Sequence, residues 1–330
     1  MKKIFKSGEF ISGMVIVVLF LLVGLKNPKF LALSNIFNVV NNSSIYALVA
    51  IGMAFVLFTS EIDVSVGATV GLAAVVAGSL VRDGHSTALA LIAVIAIGLI
   101  VGCVNALGVV NFGIPSIIMT LGVMGITRGI VYVYTNGNWV ENLPAGFKAM
   151  YQQTIGGTFS YFYLLILILS VAVFLVMKYT RFGKGFKAVG DNIDGARLIG
   201  IPVNRTKWIA FILSGLFAAL AGFLYASRVG FVTPTDGNGY EMTAIAACVI
   251  GGIALTGGTG SVWGAVLGSI IMSSVSSILV FLGFSSNYNN VINGLMLIVI
   301  VVVGAILNNA SLEKIRKARL AARVERGDQA

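Results

Sequence analysis

Apolar runs approaching twenty residues recur through this chain, separated by short polar stretches. A helix of about 20 such residues crosses the ~30 Å hydrocarbon core of a bilayer. Runs of this kind lie near Ile11–Leu25, Ile45–Thr59, Val66–Val81, Ala88–Val110, Ile114–Tyr134, Tyr161–Met177, Trp208–Ser227, Ala244–Leu255, Val262–Leu282 and Val291–Leu307. They predict an all-α, polytopic membrane protein with about ten transmembrane helices. Composition excludes a soluble alternative. Only 10% of the residues are charged and 58% are apolar, whereas an ordinary soluble domain carries about 25% charge. A soluble chain this poor in charge would expose large apolar patches and aggregate. The 40 glycines suit helices that pack closely in lipid, as in "GLIVGCVNALG" and "GAVLGS".

The N-terminus imitates a secretory signal, with a basic start before an apolar run. No small-residue cleavage site follows, so it is expected to be a retained first span. Cys103 and Cys248 fall inside apolar runs and show neither metal spacing nor a disulfide framework. His85 stands alone in a short polar stretch and is expected to be solvated.

Basic residues orient the chain. Lys and Arg collect in cytoplasmic loops. Sixteen of the 22 here fall in three places: Lys2 to Lys6, Lys178 to Lys207, and Lys314 to Arg326. Five spans on each side of the central segment put all three clusters on one side, with both termini cytoplasmic. The net charge of +10 is then an orientation signal. A nucleic-acid partner would need a folded basic surface, and no soluble domain is present to carry one. The tail at 311–330 reads either as a short helix near the anionic lipid of the inner leaflet or as a solvated, partly disordered tail.

The central segment 178–207 is long, polar and not low-complexity, and loops of that length are usually functional or disordered. Within it "DNIDGARLIG" reads as a short helix. Asn192 or Asp191 can cap its start, Gly200 can end it in a left-handed turn, and Pro202 stops continuation. Gly195 and Ala196 offer a small-residue face, and Asp194 and Arg197 offer charge. So short a helix is marginal without a partner, so it is expected to dock on one, the alternative being a loop helix lying flat on the bilayer.

Here the chain resembles a known family. "FGKGFKAVGDNIDGARLIGIPVNRTKW" is similar to the cytoplasmic coupling segment of sugar-importing ABC transporter permeases, the ribose, galactoside and autoinducer-2 group. "NPKFLALSNIFNVVNNSSIYALVAIGMAFVLFTSEIDVSVG" and "YEMTAIAACVIGGIALTGGTGSVWGAVLG" are similar to two further blocks of that family, in the same order. The resemblance implies a single permease domain over 1–330 in a bacterial inner membrane. It implies a second permease subunit, identical or sister, a cytoplasmic ABC ATPase and an extracytoplasmic solute-binding protein. It also implies that Asp191, Asn192, Asp194, Gly195, Ala196, Arg197 and Gly200 form the helix that seats in the ATPase. "GIPSIIMTLGVMGITRGIVYVYTNGNWVENLP" and "ASRVGFVTPTDGNGYEMTAIAACVIGG" look closest to the autoinducer-2 permeases, with rhamnose permeases near relatives.

Catalytic chemistry is not expected. "GGIALTGGTGS" lacks the Lys of a phosphate-binding loop and reads as a tight turn between helices. One His cannot build a zinc motif or a Ser-His-Asp arrangement, so no catalytic residue, metal or cofactor is expected. Two readings stand for the few polar groups near the spans. Glu61 and Asp63 in "TSEIDVSVG" are either a solvated, helix-capping turn or a broken-helix element lining a path. The family normally carries the Asp, while Glu61 stands where many members have Gly. Arg128 either snorkels outward or serves the path; a similar Arg occurs in this segment of the autoinducer-2 permeases. Asn105 and Thr120 are further path candidates, as scattered groups suited to a hydroxyl-rich solute. The loops carrying Glu141, Arg228, Asp236 and Glu241 are expected to face the binding protein.

These readings predict an importer permease for a small sugar-like solute, autoinducer-2 being the best single candidate and ribose, rhamnose or another monosaccharide the alternatives. An ion-coupled secondary transporter is the rival of another class. It would need ion sites near the midplane, and the spans hold almost no carboxylates there.

Overall fold

The computed structural model describes residues 8–285 together with 288, 291, 292, 294, 295, 298 and 302. Twelve helices lie among them: α1 Gly8–Lys26, α2 Leu33–Phe58, α3 Val66–Arg82, α4 Thr87–Ala106, α5 Ser116–Thr135, α6 Ala145–Gln152, α7 Tyr161–Tyr179, α8 Arg181–Asp191, α9 Ile193–Leu198, α10 Val203–Val229, α11 Tyr240–Ile250 and α12 Val262–Phe281. Six helical stretches are long and apolar enough to cross a membrane: α2, α4 extended to Asn111, α5, α7, α10 and α12. Three shorter apolar helices, Ser12–Lys26, α3 and α11, lie where the other spans within 8–285 were expected, below that length or apolarity. The run Val291–Leu307 lies largely outside the described residues, and the tail 311–330 wholly so. One small departure from all-α is a hairpin in which β1 (Thr154–Ile155) pairs antiparallel with β2 (Phe159–Ser160).

The core forms around α2, which is buried from Ser43 to Phe58 except at the half-buried Tyr46. It packs against α10, α11 and α12, and α10 in turn packs against α3 and α4. α4, α5 and α7 lie outermost, with at most 28% of their most apolar stretch buried. In lipid, apolarity alone does not press helices together, so contacts depend on small residues that let backbones approach. At the α4–α10 crossing a Cβ on Gly98 would stand 2.6 Å from the Gly215 carbonyl, and one on Gly102 2.6 Å from that of Phe211. Neither crossing could form with a larger residue.

Two stretches leave regular structure inside this bundle. Residues 59–65 interrupt the path from α2 to α3, with Ser60 at φ 61°. The second stretch is 232–239. It starts beside Gly78, where Val232 pairs with Val140 as an isolated bridge. It then descends α3 so closely that Cβ atoms on Gly71 and Gly67 would strike the carbonyls of Asp236 and Gly237. Non-helical backbone at membrane depth is stable only where protein covers it, and a glycine-bared face of α3 supplies that cover.

Candidate translocation and coupling sites

Asp63 lies in the break between α2 and α3 and is wholly buried. Its Oδ1 accepts from the Ser65 backbone N–H at 3.0 Å, from Ser65 Oγ at 2.6 Å and from Asn105 Nδ2 at 3.4 Å. Its Oδ2 accepts from Ser214 Oγ at 2.8 Å. Asn105 also donates to Ser65 Oγ at 2.8 Å. The neighbouring backbone is caught by α5: Val64 N–H donates to Thr120 Oγ1 at 3.1 Å and Ile62 N–H to Ser116 Oγ at 3.2 Å. α4, α5 and α10 thus converge on one irregular turn. A buried carboxylate is costly unless its oxygens are hydrogen-bonded; here donors on three elements meet that need, and among the described residues no cation pairs with it.

Two residues earlier, Glu61 pairs with Lys207 near the start of α10. Ser60 Oγ reaches the carbonyls of Gly190 and Thr256 at 2.9 and 2.6 Å, and Gly258 N–H donates to the Phe58 carbonyl at 3.2 Å. Lys187 Nζ donates to the Gly260 carbonyl at 2.6 Å. The end of α2, the end of α8 and the Gly-rich turn between α11 and α12 are therefore knotted together.

α9 projects beyond this knot. Asn192 Oδ1 caps it, accepting from Gly195 N–H at 2.8 Å, and Gly200 turns the chain at φ 78°. Ala196 is only 2% exposed, closed against Val189 and Val203. The small-residue face expected at Ala196 therefore points inward, because α8, α9 and the start of α10 fold into a hairpin with its own small apolar core. What the hairpin presents outward is Leu198, 89% exposed, and Ile199, 73% exposed, beside Asp194 and Arg197, which form a loose pair at 3.8 Å.

A third polar place lies between α5 and α11. Arg128 Nη2 stands 3.7 Å from Glu241 Oε2. Glu241 Oε1 accepts from Gly239 N–H at 3.3 Å, while its buried Oε2 takes no hydrogen bond from any described residue. At the far end, Trp139 stacks on Phe231 with centroids 5.8 Å apart. Beside them a cleft of about 330 Å³ is lined by Arg82, Tyr134, Asn136 and Trp139. Next to it, the hydrogen bond from Arg82 holds the Asp83 carboxyl below its usual range.

The family described as "Branched-chain amino acid transport system / permease component" matches residues 35–301. The chain is 38% identical over 310 residues, 94% of its length and 90% of the relative's, to "Autoinducer 2 import system permease protein LsrC" of Enterobacter sp. strain 638. It is 37% identical over 321 residues to the proteins of that name from Escherichia coli strain K12 / DH10B (97% of this chain, 94% of the relative) and Salmonella paratyphi B (97% and 92%). No solved structure matches it significantly. The chain belongs to this permease family.

The permease brings some expected residues together and separates others. Asp63, Asn105 and Thr120 share one cluster, are all 0% exposed and tie helices together. Arg128 meets Glu241, a residue expected in an outer loop but buried where the 232–239 stretch ends at α11. Of the other loop candidates, Glu141 is exposed, whereas Arg228 and Asp236 are half-buried; Asp236 Oδ2 accepts from Thr233 N–H at 2.6 Å. Sequence reading missed Leu198 and Ile199. Two large aliphatics directly before the closing Gly200 of an otherwise polar segment were a usable signal.

Proposed function

We propose that this chain is the membrane-spanning permease of an ATP-driven importer and that its solute is autoinducer-2. The single observation carrying the solute is near-full-length similarity to relatives of that name. The reading of coupling to ATP rests on the capped hairpin with its bare Leu198–Ile199 tip. Exposed aliphatics on a polar loop suit burial in a groove, and residues 178–207 are read as the cytoplasmic segment that docks on a separate ATPase. Ten crossings with both termini cytoplasmic fit the basic clusters. A second permease subunit, identical or sister, completes the path, and an external solute-binding protein docks over the Trp139–Phe231 end, where Glu141 is exposed.

Uptake of labelled autoinducer-2, ribose, rhamnose and galactose by cells with and without the chain tests the solute. Loss of autoinducer-2 uptake is expected, with dependence on ATP and not on an ion gradient. Loss of ribose, rhamnose or galactose uptake alone overturns the choice of solute. For sidedness, single cysteines at Leu198 and Asn138 are exposed to an impermeant thiol reagent on intact cells. Labelling of position 138 and protection of 198 is expected, and the reverse overturns the orientation.

A further inference from the structure

We propose that Arg128 and Glu241 form a recognition site for a neutral, hydroxyl-rich solute inside the translocation path, an inference that rests on the importer reading above. Depth is the first observation. Arg82 and Tyr134 line one cleft, so α3 and α5 end on the same side of the bundle. Glu241 packs onto Gly67 at the opposite end of α3, roughly 22 Å from Arg82 at 1.5 Å per residue. Arg128 lies one to two turns below that end on α5, and helical side chains lean toward the N-terminus. It therefore reaches down the helix to Glu241, the opposite of snorkelling. Charged groups this deep are rare and serve function by default.

The second observation is incomplete satisfaction. The two charges approach to 3.7 Å, beyond hydrogen-bond range, and Glu241 Oε2 is buried without a donor among the described residues. Asp63, at comparable burial, has every oxygen occupied. A small turn of the Glu241 carboxylate toward the partly exposed Arg128 lets a solute hydroxyl donate to it while accepting from Arg128, with both bonds charge-assisted. The pair is neutral as a unit, so it selects for dipoles and hydroxyls and against net charge. The third observation is access. Arg128 flanks the outer face of α5, where no described residue lies within 4 Å of a Cβ position on Gly122, Gly125 or Gly129. A bare helix face thus leads to a partly exposed guanidinium.

The complex with its ATPase and binding protein, in proteoliposomes, is supplied with labelled autoinducer-2, D-ribose or L-leucine. In a Gly125→Cys background, one turn from Arg128, the imported solute is expected to slow modification by a small thiol reagent. Glu241→Gln and Arg128→Gln should still assemble with the ATPase, lose uptake at least tenfold and lose the protection. Modification unaffected by solute, or uptake within twofold of wild type in both variants, overturns the proposal. So does failure of both variants to assemble, which marks the pair as a packing element. Preferential import of leucine overturns the hydroxyl-rich class. Failure of the underlying importer reading is distinct: the wild-type complex then imports none of the three, and the proposal falls with it.

Discussion

Asp63 and Glu241 stand on two sides of the first turn of α3, both nearly out of reach of water, and the surrounding structure treats them in opposite ways. Around Asp63, donors from Ser65, Asn105 and Ser214 occupy both oxygens. Around Glu241, one oxygen holds a long bond to Gly239 N–H and the other faces Arg128 across 3.7 Å. A buried carboxylate is costly unless its own oxygens are hydrogen-bonded; beside Asp63 the oxygen without a donor among the described residues belongs to the neutral amide of Asn105, not to the carboxylate. Asp63 is therefore a joint, binding α3, α4 and α10 at a point where the helix is broken. Glu241 has hydrogen-bonding capacity left over. Equal burial, then, does not imply equal purpose, and the state of each oxygen separates the two.

The comparison breaks most visibly at Asp63. Asp63→Ala should strip the acceptor from Ser65 N–H, Ser65 Oγ and Ser214 Oγ at once. Each buried group left unpaired costs about 1–3 kcal/mol, so the loss should reach several kcal/mol, and little folded protein should survive detergent extraction. Glu241→Gln, which loses no full hydrogen bond, should melt close to wild type. Monodisperse yield and thermal unfolding of the two purified variants check this. Similar melting of both would end the distinction between joint and site.

A second contrast sets the buried joint against the exposed tip of the α8–α9 hairpin. Leu198→Asp combined with Ile199→Asp should leave folding intact, because both side chains already face outward. It should cut co-purification of the ATPase and solute uptake at least tenfold, as charges replace the apolar surface offered to a groove. Pull-down of the ATPase beside transport measures both. Normal co-purification would remove the docking role from this tip. Ala196 is a poor probe, since its side chain fills the core of the hairpin.

How much of this was legible beforehand differs by kind of feature. Helices with strong apolar runs were legible, as was the Asn192 cap, because both are local. The start of α2 was not: it begins at Leu33 although the apolar run begins at Ile45. Its first turns hold asparagines that lower the hydropathy, yet Asn35 and Asn41 are spent on the Phe30 and Thr158 carbonyls. The inward turn of Ala196 depends on Val189 and Val203, which approach it only once the hairpin closes. Glu241 read as an outer-loop charge because the descent of 232–239 along α3 requires glycines more than 160 positions away in the chain. Pairings between distant segments carry no periodic signal, and the two buried charge environments are made of nothing else.

A finer cut within the joint is Ser214→Ala. It removes one donor from Asp63 Oδ2 and leaves Oδ1 untouched. The net worth of one such bond is about 1 kcal/mol, toward the upper range for a charged acceptor. A drop near that size, well short of Asp63→Ala, is expected in denaturant or thermal unfolding. Equality with Asp63→Ala would place the whole strength of the joint on α10.

The smallest effect on stability should come from Glu61, the third carboxylate of this neighbourhood. It has what Asp63 lacks, a direct cation in Lys207, but the two side chains keep 15% and 16% of their exposure. Deleting one partner of a pair this buried would be costly, but Gln keeps a side-chain oxygen that can accept from Lys207, so Glu61→Gln should unfold almost as wild type does. The pair nonetheless joins the break after α2 to the start of α10, just past the hairpin read as the coupling segment. Its loss should therefore appear as solute moved per ATP hydrolysed, a few-fold lower, and the exchange Glu61→Lys with Lys207→Glu should restore that ratio. Measured stability then ranks these carboxylates by how completely their oxygens are hydrogen-bonded, with Asp63 first. If Glu61→Gln destabilises as much as Asp63→Ala, position at the break matters more than satisfaction of the oxygens, and the contrast between Asp63 and Glu241 loses its physical basis.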